Sequence, residues 1–231
     1  MLFGVIRNVI SGQHVDLWAA AAQVLSIFFV IFCILPLHEF AHGWVANKLG
    51  DPTAKLEGRL TMNPLASVEP MGALALLLFG FGWAKPVPVD PRYFKKPKRD
   101  MAITALAGPL SNLLAALVGA LVVVAMQAFA PYNNVTMFFF NLFYYYVIVN
   151  VTLAVFNLIP VPPLDGSRII AAFLSDRALA SYYRYQNIFM MVLFFAMLTG
   201  ALSGPLYTVQ NFFGNLIFSI ARFPFHLAGV L

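Results

Sequence analysis

Residues 17–37 read LWAAAAQVLSIFFVIFCILPL, 21 positions without a formal charge. At 1.5 Å per residue, a helix of that length crosses a hydrocarbon core of about 30 Å. The rest of the chain agrees. Of its 231 residues, 61% are hydrophobic and 10% charged, whereas a soluble domain carries roughly a quarter charged residues. A globule of this size cannot hide so much apolar surface from water, so the chain belongs in a membrane. The same composition excludes disorder. A single cysteine, Cys33, excludes a disulfide scaffold.

Past residue 37 the helix continues through His38 to about Leu49, where Gly50-Asp51-Pro52 stops it. Between 52 and 100 the character changes. Residues 53–62 alternate weakly, Asn63-Pro64 breaks them, and 71–84 is apolar but only 14 residues long. Pro86, Pro88 and Pro91 then impose extended backbone. This stretch is expected to form strands and loops that re-enter the membrane, not a helix. No charge occurs from 101 to 164, a stretch divided at Ala130-Pro131-Tyr132-Asn133-Asn134, so two helices are expected at about 102–129 and 137–159. Asp165-Gly166-Ser167 opens a short helix to about 174. The 37 uncharged residues of 185–221 are broken by Gly200, Ser203, Gly204 and Pro205, which suits two short or tilted helices. The expected fold is an all-α polytopic membrane protein of about five transmembrane helices, with a re-entrant strand and loop region between the first and second. It forms one membrane-embedded domain over 1–231, with a core at about 17–175 and a C-terminal helical hairpin at about 185–222. Residues 1–16 read as an interfacial segment, not a signal peptide.

The few charges are not scattered. Nine of the 14 Lys and Arg lie from Lys48 to Arg99, and Arg168, Arg177 and Arg184 form a second group. Both groups lie between apolar runs, as the positive-inside rule produces, so 48–99 and 165–184 are expected on the cytoplasmic side. Nucleic-acid binding would need a basic face on a water-facing module and is set aside. Lys95-Lys96-Pro97-Lys98-Arg99 reads as a topology anchor beside anionic lipid. The aromatic residues of 138–146 read as packing and interfacial anchoring.

The chemistry concentrates at His38-Glu39-Phe40-Ala41-His42. Residues four apart share a helix face, so His38 and His42 can offer two imidazoles to one metal ion. Glu39 lies about 100° around the helix, within reach of a metal-bound water without being a ligand. A zinc hydrolase needs a third protein ligand and an open fourth position. His14 and His226 stand far off in sequence and read as interfacial. Cys33 points about 140° away and reads as a small core residue. Asp165 ends the run Asn157-Leu-Ile-Pro-Val-Pro-Pro-Leu-Asp-Gly on the same membrane side as the histidines. Alone it would be a helix N-cap; with the histidines present it is the best third ligand. Asn150 reads as an interhelical hydrogen-bonding group.

HEFAH at 38–42 and NLIPVPPLDG at 157–166, with Gly108-Pro109-Leu110-Ser111-Asn112 between them, resemble the site-2 protease family of intramembrane zinc metalloproteases. The resemblance covers roughly 20–175, and is to small-core members without PDZ or CBS modules. It implies one Zn2+ per chain held by His38, His42 and Asp165, with Glu39 catalytic. Asn157 and Pro160 would accommodate substrate, and Asn112 would lie near the site. The implied activity is hydrolysis of peptide bonds in transmembrane segments of membrane proteins. The implied setting is a prokaryotic cell membrane, with the site toward the cytoplasm. An extended segment at 53–62 or 83–89 could hold an unwound substrate by strand addition. Two rivals come from other classes. One is a zinc-binding membrane protein without hydrolysis, acting as a binding partner or chaperone. Glu39 argues against it, because a structural metal has no use for that carboxylate. The other is a transporter, which would show paired, interrupted helices in two similar halves.

Overall fold

The computed structural model of the chain describes residues 11, 16–79 and 83–230. The expected N-terminal interfacial segment, with His14, falls almost wholly outside them. A long first helix runs through Leu17–Leu49 in three parts: α1 (Leu17–Phe29), a π-helical turn (Val30–Ile34) and α2 (Leu35–Leu49). Asp16 caps its start, accepting from the Trp18 and Ala19 amides at 2.9 and 3.2 Å. Gly50 ends it at φ 113°, the left-handed conformation that favours glycine. That stop lies where Gly50-Asp51-Pro52 marks it.

The π turn explains how one face of this helix stays inward. Ala22, Ser26, Val30, Ile34, His38, His42 and Ala46 are all buried, one every four residues. In a regular α-helix a four-residue step drifts about 40° per repeat, and six steps would carry the row most of the way around. A π turn accommodates an extra residue and takes back about 100° of that drift.

Residues 53–79 form three short helices, α3 (Thr53–Leu56), α4 (Pro64–Ser67) and α5 (Pro70–Phe79). The expectation of strands at 53–62, and of no helix at 71–84, is therefore corrected. Among the described residues the only pairing is an isolated antiparallel bridge from Val68 to Ala84. Glu69 accepts from the Gly72 amide at 2.6 Å and Pro70 occupies the first turn, so α5 has an ordinary helix start. Residues 83–90 are extended, as the prolines require.

Two long helices follow, α6 (Pro97–Phe129) and α7 (Asn134–Asn157). Helix α6 begins five residues earlier than expected, with Pro97 in its first turn, and carries Pro109 inside. The two pack closely through small residues of α6, among them Ala115, Ala116 and Ala120. A Cβ at Gly119 would lie 2.6 Å from the Tyr146 ring. Apolar side chains gain little by leaving lipid for protein, so such close fits supply the cohesion between membrane helices. Asn150 is corrected: its amide donates to Tyr146 O within the same helix.

The remainder is α8 (Asp165–Ala171), α9 (Asp176–Arg184), α10 (Gln186–Leu198) and α11 (Ser203–Leu227). Helices α10 and α11 are bent by 86° at their junction. The described chain thus holds three helices long and apolar enough to cross a membrane, or four if the bent pair is one span, where sequence suggests about five.

Candidate active site

The site is built where α2, α6, α8 and the extended segment 83–90 meet. Helix α2 supplies His38, Glu39 and His42, all buried. His42 Nδ1 lies 2.7 Å from Thr104 O on α6. A carbonyl can only accept, so Nδ1 carries the proton and Nε2 is left with its lone pair free for a metal.

His38 Nε2 and His42 Nε2 are 3.1 Å apart, and each is 3.2 Å from Asp165 Oδ2. Zinc bonds of 2.0–2.2 Å in tetrahedral array separate ligand atoms by about 3.4 Å. The three atoms therefore form a triangle of nearly the required size, with room for a fourth position. Asp165 Oδ2 is buried and accepts no hydrogen bond among the described residues. A buried carboxylate oxygen facing two nitrogen lone pairs is costly unless a cation joins them. Asp165 also does not cap its helix: Leu164 occupies the N-cap position, which leaves the carboxylate to the histidines.

Helix α6 closes one side. A Cβ at Gly108 would fall 2.4 Å from His42 Nε2 and 2.6 Å from His38 Nε2, so only glycine lets this helix come so near. Glu39 stands apart from the triangle and accepts from the Val87 amide at 2.7 Å. The segment that carries Val87 is fastened at several points. Lys85 N donates to Ser67 O at 2.8 Å, Arg59 Nη2 donates to Lys85 O at 2.9 Å, and Asp90 N donates to Asp51 Oδ2 at 2.8 Å.

Between these elements lies a cavity of about 250 Å³, bordered by His38, Glu39, His42, Val87, Asn157 and Asp165, with Arg168 also in its wall. Of the remaining expected residues, Asn157 lines the cavity while its amide donates to Leu153 O at 2.9 Å. Pro160 lies outside the cavity wall, its carbonyl accepting from Tyr182 Oη at 2.9 Å. Asn112, one turn beyond Gly108, is fully buried with neither amide atom hydrogen-bonded among the described residues. Cys33 is exposed, not in the core, and stands apart from the cluster together with His226. No site role for Thr104, Val87, Asp51 or Arg168 is readable in sequence. The first two act through backbone groups, which no side-chain pattern reveals.

The chain is similar to known zinc metalloproteases. The model of peptidase family M50 matches residues 124–200. Rip2 of Mycolicibacterium smegmatis is 30% identical over 196 residues, covering 76% of this chain and 72% of its own. Rip2 of Mycobacterium tuberculosis is 29% identical over 214 residues, covering 89% and 80%. YwhC of Bacillus subtilis is 45% identical over 139 residues, covering 58% of this chain and 62% of its own, less than two thirds. All three carry zinc metalloprotease in their names. There is no significant match among solved structures. The chain belongs to peptidase family M50, the site-2 protease family.

Proposed function

We propose that this protein is a zinc-dependent endopeptidase that cuts peptide bonds within transmembrane segments of membrane-protein substrates. The observation that carries the reading is the triangle of His38, His42 and Asp165 beside an independent carboxylate, Glu39. One zinc ion held by the three would polarise a scissile carbonyl and acidify a water. Thr104 O fixes the His42 tautomer, and the Val87 amide holds one oxygen of Glu39 and leaves the other to take a proton. In this role Glu39 accepts the proton of the attacking water and returns it to the leaving amine. The extended segment 83–90, beside the cavity, offers an edge on which an unwound substrate can lie. Asn157 contacts the substrate from the cavity wall, while Pro160 and Asn112 support that wall from outside it.

In the same reading the whole chain is one membrane domain, the bent α10–α11 pair supplies a fourth span, and 52–96 is re-entrant. The basic loops face the cytoplasm of a prokaryotic cell, and the site faces the same way. The test is to purify wild type and Glu39→Gln, measure bound zinc, and follow cleavage of a transmembrane reporter. Equal zinc with cleavage lost in the variant is the expected result. Cleavage by neither across several reporters favours a zinc-binding partner without hydrolysis, and activity indifferent to chelators excludes the metal mechanism.

A further inference from the structure

A second concavity lies on the outside of the bundle, between the first three turns of α6 and helix α8, with a volume of about 790 Å³. It is divided by chemistry along its length. At one end stand Lys96, Lys98 and Arg99; beyond them the walls are Ile103, Leu106 and Phe173, over a floor of Ala102 and Ala172. The small floor residues make the trough, and the larger ones flank it.

The charges at the mouth do not cancel. Lys98 pairs with Asp176 at 2.7 Å and Arg99 with Asp100 at 2.8 Å. Lys96, and Lys95 beside it, form no ion pair among the described residues. One unpaired positive charge, Lys96, therefore lines the polar end of an apolar trough, and Lys95 adjoins it in sequence. From Lys96 to Leu106 the chain rises about 15 Å, half of a hydrocarbon core of about 30 Å, so the trough is one leaflet deep.

We infer that this groove is a binding site for one anionic phospholipid, its phosphate against Lys95 and Lys96 and an acyl chain along Ile103, Leu106 and Phe173. Basic pockets between membrane helices recognise anionic headgroups in this way, and a phospholipid, with both a phosphate and an acyl chain, satisfies both ends. The walls matter, because α6 also carries Thr104 and Gly108 while α8 begins at Asp165. A lipid lodged there touches the two helices that frame the histidine and aspartate cluster. The inference does not depend on proteolysis; it requires only that the chain lie in a bilayer.

The test uses the full-length protein in detergent, offered phosphatidylglycerol or phosphatidylcholine of the same chain length, with retained lipid read by native mass spectrometry. Wild type should retain the anionic lipid at least tenfold better. Each of Lys95→Gln and Lys96→Gln should weaken that preference about fivefold. Ala102→Trp, which fills the floor without touching a charge, should expel both lipids while leaving bound zinc unchanged. Equal retention of the two lipids overturns the inference, as does a preference that survives the lysine substitutions. Displacement by glycerol phosphate as readily as by whole lipid would show a simple phosphate site. Protection by an acidic peptide with no lipid retained would show a protein-docking site, and either result also overturns it.

Discussion

Gly108→Ala tests the site through a residue that is neither a ligand nor a proton carrier. The added methyl would lie 2.4 Å from His42 Nε2, 2.5 Å from His38 Cε1 and 2.6 Å from His38 Nε2. Ordinary contact begins near 3.4 Å, so the overlap is about 1.0 Å. Side-chain ends often swing away from such a clash. These cannot do so freely: both rings are buried, and His42 is tied to Thr104 O. Either α6 withdraws or the rings turn, and both break a triangle whose sides are 3.1 and 3.2 Å. Disturbing the surroundings of metal ligands costs roughly 10–100-fold in metal affinity, and a 1 Å misplacement about 100-fold in turnover. The assay is zinc retained against graded chelator, alongside cleavage of a transmembrane reporter and the thermal midpoint. Gly119→Ala on the same helix serves as control, because the atoms nearest its Cβ would belong to Tyr146 and Val147. It should cost about 1–3 kcal/mol of stability and leave zinc affinity alone. Wild-type zinc affinity and turnover in Gly108→Ala would refute the close approach on which this reasoning rests.

Three further outcomes are expected. Val87→Pro removes the amide that holds Glu39; cleavage should fall at least tenfold with zinc content unchanged, and an unchanged rate would mean that the contact does not position the carboxylate. Asp165→Ala should lose tightly bound zinc by atomic absorption, whereas Glu39→Gln retains it; loss in both would place Glu39 among the ligands. Asp51→Ala frees the Asp90 and Thr53 amides and should lower stability by about 2 kcal/mol in a denaturation series, with limited proteolysis opening 83–90 first.

The parts of the fold written in long periodic runs were legible in sequence. The apolar stretch from residue 17, the stop at Gly50, and the break before α7 follow from length, charge and turn residues. The grouping of His38, His42 and Asp165 was legible as well, because the HEFAH spacing and a later acid are side-chain facts. Residues 52–79 misled for a physical reason. Helices of four to ten residues leave too little periodicity to read. Gly72 permits contact with the Trp83 backbone, where a Cβ would meet Trp83 O. Pro70 was a readable start signal that the shortness of the run concealed. The π turn, the Thr104 carbonyl and the Val87 amide were out of reach, since each is a backbone property with no residue signature.

The π turn at Val30–Ile34 also governs which changes of length the first helix can survive. Elsewhere in Leu17–Leu49, removing one residue rotates everything beyond it by about 100° and turns either the histidines or the α7-facing side chains out to lipid. Within Val30–Ile34 a deletion removes the surplus residue and restores a plain α-helix with both halves still facing their partners. The helix thus has a single splice point where its chain length is negotiable, set one turn before the histidine pair.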